Sequence, residues 1–301
     1  MLPLRATAPS VSAPPLNWVE TGSLTVQALA SEHEREVLSF LAERPLHTVV
    51  MAGLIRDNGL VSPLNRGSFY ACRDREGRLE GVSLIGHITM FETRTEAALE
   101  RLARFARDCQ RIHAILGEQS KIERFGDLFA EAGQEVRLVC REILFEQQWP
   151  VAVREAVPMR QATLDDLDLV VPVHARMAFE ESGVNPLERD PVGFQERTAR
   201  RIEQGRVWVW REAGRLIFKA DIISDTPEAI YLEGIYLNPE ERGKGYGARC
   251  VSQLSRSLLE RTRSVCLLVN ERNREGQSCY RRAGFKMRGF YDTIYLDRQS
   301  S

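Results

Sequence analysis

Residues 231–248 read YLEGIYLNPEERGKGYGA. The first part is a strand, because Ile230, Tyr231, Leu232, Ile235, Tyr236 and Leu237 are β-branched, aromatic or otherwise apolar and Asn238 and Pro239 end the run. The last part opens a helix, with Val251, Leu254, Leu258 and Leu259 spaced three or four apart. Between them come Arg242, Gly243, Lys244, Gly245, Tyr246 and Gly247. Glycines at such a junction let the backbone approach an anion closely. The unpaired N–H groups of the first helical turn, and the helix dipole, point at the same place. A pyrophosphate suits this site, carried by the backbone of Gly243, Gly245, Gly247 and Ala248 with Arg242 and Lys244 as charge partners.

Three kinds of glycine loop compete for the segment. A P-loop requires a Gly-Lys-Ser/Thr run, and here Lys244 is followed by Gly245. A dinucleotide fingerprint requires an acidic residue closing the next strand, but the strand at 265–269 ends in Asn270, and a meander-like hairpin precedes the loop instead of a βαβ unit. The pattern that remains is Arg/Gln-x-x-Gly-x-Gly/Ala, met by Arg242, Gly245 and Gly247. Further on, Asn273, Gly276, Tyr280, Gly284 and Phe285 match Asn-x-x-Ala-x-x-x-Tyr-x-x-x-Gly-Phe with Gly276 in place of the Ala. With both motifs in this order, the chain resembles the GNAT superfamily of N-acyltransferases, whose acyl-CoA-binding loop has the first pattern. The resemblance is specific over residues 158–296 and topological before that.

Outside the motifs the chain reads as two copies of one α/β order. Helices are expected at 31–44, with Ser31 as cap and Glu34 completing a capping box, and at 46–58. A hairpin at 68–73 and 79–87 follows, then helix, strand, helix and strand at 95–109, 111–116, 121–132 and 136–145. The second copy has helices at 164–179 and 191–204, a hairpin at 207–211 and 216–224 turning at Ala213 and Gly214, and then the motif strand and helix. Segments at 265–269, 274–283 and 285–296 close it. The expected architecture is α/β, two tandem GNAT-like halves, each a central mixed sheet flanked by helices. Residues 1–20, rich in proline, read as a disordered leader, 21–148 as a degenerate GNAT-like domain, and 155–298 as the acyl-CoA-binding domain. Where a phosphate loop would open the central helix of the first half, the chain reads Glu92, Thr93, Arg94, Thr95, Glu96, Ala97. That stretch has no glycine and carries an acidic pair, so only the second half is expected to bind CoA.

At 301 residues the chain is long enough for two cores. A net charge of −1 gives no electrostatic footprint for nucleic acid. Six cysteines scattered through apolar segments read as buried free thiols. No stretch reaches the roughly 20 apolar residues of a membrane span, and 1–16 lacks the apolar core of a signal peptide. A soluble, cytoplasmic protein follows as an expectation. Five scattered histidines offer no metal-ligand spacing. His174 reads as packed.

The resemblance implies an acetyl-CoA or other acyl-CoA co-substrate, no metal, and transfer to a primary amine on a small molecule or a protein. It places the catalytic base at Glu233, acting through water, and the acid that protonates the CoA thiolate at Tyr280. A carboxylate among apolar strand residues is partly desolvated, which raises its pKa. The same alternation also fits a solvent-facing residue. Tyr280 equally fits an aromatic filling space between helix and sheet. Asn273 caps its helix on any reading, and the resemblance adds a role holding the pantetheine arm. The backbone of Ile235 and Leu237 is implied as an oxyanion donor and pantetheine partner. Glu180 and Glu181 lie where an acceptor amine would dock, although a solvated helix end explains them as well. Lys219 and Asp221 share a face and are expected to pair structurally. Two rivals stand beside the enzyme: a non-catalytic acyl-CoA sensor, and an interaction protein whose first half forms a homodimer.

Overall fold

The computed structural model describes residues 24–109, 112–130, 136–152 and 155–296. The leader expected at 1–20 lies outside the described residues. In the first half the order is β1 (Thr25–Ala28), α1 (Glu34–Leu41), α2 (Pro45–Asn58), β2 (Gly67–Arg73), β3 (Leu79–Gly86), β4 (Ile88–Thr93), α3 (Glu96–Arg107), β5 (Ala114–Glu118), α4 (Gln119–Ala130) and β6 (Val136–Gln147). The second half repeats it as β7 (Arg160–Gln161), α5 (Leu167–Ser182), α6 (Pro186–Arg189), α7 (Pro191–Glu203), β8 (Val207–Glu212), β9 (Arg215–Asp225), β10 (Ile230–Leu237), α8 (Tyr246–Leu258), β11 (Val265–Asn270), α9 (Arg274–Arg282) and β12 (Lys286–Leu296). Apart from the added turn α6, the two orders are the same.

The elements stop where local chemistry stops them. Pro45 opens α2, where its missing N–H costs nothing. Gly183 ends α5 with φ of 70°. Ala213 and Gly214, both at positive φ, form the two-residue turn between β8 and β9. The capping box expected at Ser31 and Glu34 is absent. Ser31–His33 is a 3-10 turn in which the Ala30 N–H donates to His33 Nδ1, while Glu34 accepts from the Leu60 N–H. The sequence reading also lacked β4, which follows β3 after His87 alone, with none of the turn residues that mark a hairpin.

The twelve described strands form one sheet, ordered β1-β2-β3-β4-β5-β12-β6-β11-β10-β9-β8-β7. The expectation of one sheet per half thus becomes a shared sheet. β12, the last strand of the second half, lies between β5 and β6, and β6, the last strand of the first, lies between β12 and β11. The exchange has a packing reason. Ile143 and Phe145 on β6 belong to the core under α8 and α9, and Leu144 between them belongs to the core on the opposite face. A strand apolar on both faces belongs inside a sheet.

Helices α3, α4, α8 and α9 cover one face, and α2, α5 and α7 the other. Helix α2 of the first half reaches β9 of the second. A Cβ added at Gly53 would stand 1.9 Å from Ser224 Oγ, which itself donates to the Val49 carbonyl. Gly53→Ala is therefore expected to destabilise the protein by about 1–3 kcal/mol through overpacking. Urea unfolding would read this, and an unchanged midpoint would remove Gly53 from the contact between the halves.

Candidate active site

β10 and β11 run parallel, but their pairing covers only Ile230↔Val265, Tyr231↔Cys266 and Leu232↔Leu267. Beyond Leu232 the two strands part, and β10 has no strand partner on that side among the described residues. On its other side the ladder with β9 slips between Glu233↔Asp221 and Tyr236↔Lys219, a bulge centred on Gly234 (φ 59°) and Ile235. The bulge resets the side-chain alternation. Ile230, Leu232, Ile235 and Leu237 pack with the α8 and α9 core, while Tyr231 and Tyr236 pack into clusters on the opposite face. Glu233, two residues after Tyr231 and before the bulge, shares that opposite face.

A buried ion pair braces the bulge. Lys219 Nζ donates to Asp221 Oδ2 at 2.8 Å and to the Gly234 carbonyl at 3.1 Å, and both charged side chains are sealed from solvent. Arg201 Nη1 donates to the same Oδ2 at 3.3 Å. Burial alone would raise the Asp221 carboxyl, but Lys219 and Arg201 hold it below its ordinary value. Burial, with Lys219 nearby, pushes His174 down to about 3, so its ring is neutral near pH 7. The expected pairing of Lys219 with Asp221 is present, and His174 packs against Phe194 at 5.0 Å.

Glu233 is exposed, yet desolvation by the protein around it raises its carboxyl above the ordinary value, against the pull of Arg201 and with a push from Asp221. Two more carboxylates face it. Glu142 on β6 is raised by burial to about 7, although Thr293 Oγ1 donates to it at 3.0 Å. Glu181, at the end of α5, is raised by enclosure and then by the charges of Glu233 and Glu142. Glu180 does not join them. It is exposed and pairs with Arg176 at 3.9 Å. Glu142 was missed in the sequence because nothing there announces that β6 of the first half crosses into the second.

On the other face, α8 begins at Tyr246 with Gly245 as its N-cap in a left-handed conformation (φ 80°). Gly243 shares that conformation (φ 77°), and a Cβ added at either would meet nothing within 4 Å. These two are glycine for backbone geometry. Gly247 is glycine for packing, because a Cβ there would lie 3.2 Å from Cys279 Sγ on α9. Gly245 has no side chain to cap the first-turn N–H groups around Ala248. Arg242 and Lys244 are exposed beside them, Lys244 held by Glu241 at 2.7 Å.

Asn273 caps α9, its side-chain oxygen accepting from the Gly276 N–H at 2.8 Å. Tyr280 on α9 is buried, its ring 6.2 Å from those of Phe145 and Phe285. Burial keeps its phenol protonated well above the ordinary tyrosine range. The ring fills core, and the hydroxyl has no hydrogen bond among the described residues. Tyr280 and Glu233 therefore lie on opposite faces of the sheet.

The matching place in the first half is built differently. β4 and β5 also part after two parallel pairs, Ile88↔Ala114 and Thr89↔Ile115. The gap beyond is bridged by charge: Arg44 contacts Glu92 at 2.9 Å and Glu118 at 2.8 Å, and Lys121 contacts the same two carboxylates at 3.0 and 3.2 Å. Only Arg94 and Thr95 join β4 to α3, and Thr95 caps the helix by accepting from the Ala98 N–H.

Residues 220–294 match the model of the FR47-like protein family. A Drosophila protein solved by X-ray crystallography aligns over 91% of this chain and 99% of its own, with 13% identity and a TM-score of 0.68. A GCN5-related N-acetyltransferase from Sphaerobacter thermophilus aligns over 94% and 98%, with 12% identity and a TM-score of 0.58. A tandem GNAT protein from the clavulanic acid biosynthesis pathway aligns over 92% and 99%, with 15% identity and a TM-score of 0.54. This is a tandem GNAT fold. The resemblance drawn from the two motifs holds, and the tandem arrangement with it. No curated protein sequence matches the chain. The chain has no described helix long and apolar enough to cross a membrane. Its six cysteines are free, four of them buried.

Proposed function

We propose that this tandem GNAT is an acyl-CoA-dependent N-acyltransferase whose second half transfers an acyl group, acetyl by default, to a primary amine. The observation that carries the reading is the parting of β10 and β11 just after Leu232, with Glu233 on one face and a glycine-capped helix start on the other. The amides of Gly243, Gly245, Gly247 and Ala248, with Arg242 and Lys244, would hold the pyrophosphate. Free backbone at Ile235 and Leu237 would line the pantetheine arm, and Asn273 stands at the mouth of α9. The first half has a capped helix and an ionic bridge in the equivalent places, which argues for one CoA per chain.

In the chemistry this arrangement supports, the amine lone pair attacks the thioester carbon. The new C–N bond forms, the C–S bond breaks, the amine proton passes through water to Glu233, and the thiolate takes a proton from Tyr280. Once ionised, Glu181 and Glu142 add negative charge beside Glu233, which favours an acceptor that approaches as a cation. The acceptor is a small molecule or a protein amine.

The test is CoA-thiol release from acetyl-CoA with a panel of primary amines, run against pH. The three carboxyls lie close enough to push one another up, and each is raised, so the base becomes competent only as pH rises through those raised values. The rate is expected to climb over that limb. Glu142→Gln removes a neighbouring negative charge, which favours ionised Glu233 and moves the limb to lower pH. A limb unmoved by Glu142→Gln would place the titrating group elsewhere, and CoA binding without release for any amine would favour the sensor.

A further inference from the structure

A narrow cavity runs under α2 on the same sheet face as Glu233. Its floor crosses adjacent strands in order: Tyr231 on β10, Cys266 and Leu268 on β11, Leu144 on β6 and Tyr291 on β12. Leu46 and Val50 of α2 form the roof. The far end is polar, with Glu118 and Glu92 of the ionic bridge and His47, whose Nδ1 lies 2.7 Å from the Tyr291 hydroxyl.

The near end adjoins the proposed reaction centre. Tyr231 stands two residues before Glu233 on the same face, and Leu268 is the first β11 residue past the last parallel pair. An acyl group delivered through the parting of β10 and β11 reaches this face at that end. We propose that the cavity receives the acyl chain of the donor, so that the preferred co-substrate is an acyl-CoA with an unbranched apolar chain longer than acetyl. The inference rests on the acyl-CoA reading above. The apolar walls would shelter methylenes, and the charged far end would set the longest chain accepted, because extending into it would desolvate Glu118 and Glu92. The first half then has a part in specificity, since it supplies the roof and the stop.

Calorimetric titrations of the full chain with free CoA, acetyl-CoA and hexanoyl-CoA would test this. A buried methylene is worth about fourfold in affinity. Hexanoyl-CoA is expected to bind at least about tenfold tighter than acetyl-CoA. Leu46→Trp fills the roof and should abolish that gain while leaving free CoA unchanged, and Val50→Phe serves the same purpose if the first variant fails to fold. Equal binding of the two thioesters by a parent that binds free CoA would overturn the chain pocket and leave the acyl-CoA reading standing. A gain that survives both filled variants would overturn its location. A parent that binds none of the three ligands would overturn both readings.

Discussion

Glu233→Gln is expected to lower kcat for amine acylation by about 10²–10⁴-fold, the range for loss of a positioned general base. CoA affinity should change little, because the residue lies on the face away from the glycine-capped start of α8. The variant keeps the shape and hydrogen-bonding reach of the side chain and removes only its ability to take a proton. The ascending pH limb should vanish with it. Turnover within threefold of the parent would remove Glu233 from the chemistry and leave the strand residue as a solvated one.

Lys219→Met is expected to cost about 3–5 kcal/mol of stability, the range for breaking a buried pair by removing one partner. The lower end is favoured because Arg201 still reaches Asp221 at 3.3 Å. The variant leaves a sealed carboxylate short of its main partner, and the Gly234 carbonyl without its 3.1 Å donor. Replacing both residues with Lys219→Met and Asp221→Leu should recover much of the loss, since a buried pair and an apolar pair of similar volume are often comparable in stability. Thermal unfolding of the single and double variants would measure it. Equal loss in both would mean that packing, and not the charge, holds the bulge.

What the sequence could say about this chain depends on how local each feature is. The strand, loop and helix over 230–258 were legible because strand alternation, a glycine run and helical spacing each operate within a few residues. Asn273 was legible as a cap for the same reason. The exchange of β6 and β12 was not, because the residues that drive it, Ile143 to Phe145, read only as an apolar strand end and their partners lie more than a hundred positions away. Glu142 was lost with it. Glu180 and Glu181 looked alike in the chain, and only the turn of α5 separates the one paired to Arg176 from the one facing Glu233. In the first half, the missing glycines were visible at 92–97, whereas the Arg44 bridge joins side chains from three elements and a loop, and no spacing rule brings those together.

The central claim is that one half of this tandem fold, through the loop at 242–248, holds CoA. Calorimetric titration with CoA, reading stoichiometry in the parent and affinity in Gly245→Asp, tests it most directly. Aspartate tolerates the left-handed conformation at 245 better than most residues, so the fold should persist while a carboxylate enters the space meant for pyrophosphate. One CoA per chain is expected, with a loss of at least about 100-fold in the variant, the cost of roughly two lost charge-assisted contacts. Two CoA per chain, or binding undisturbed by Gly245→Asp, would contradict it.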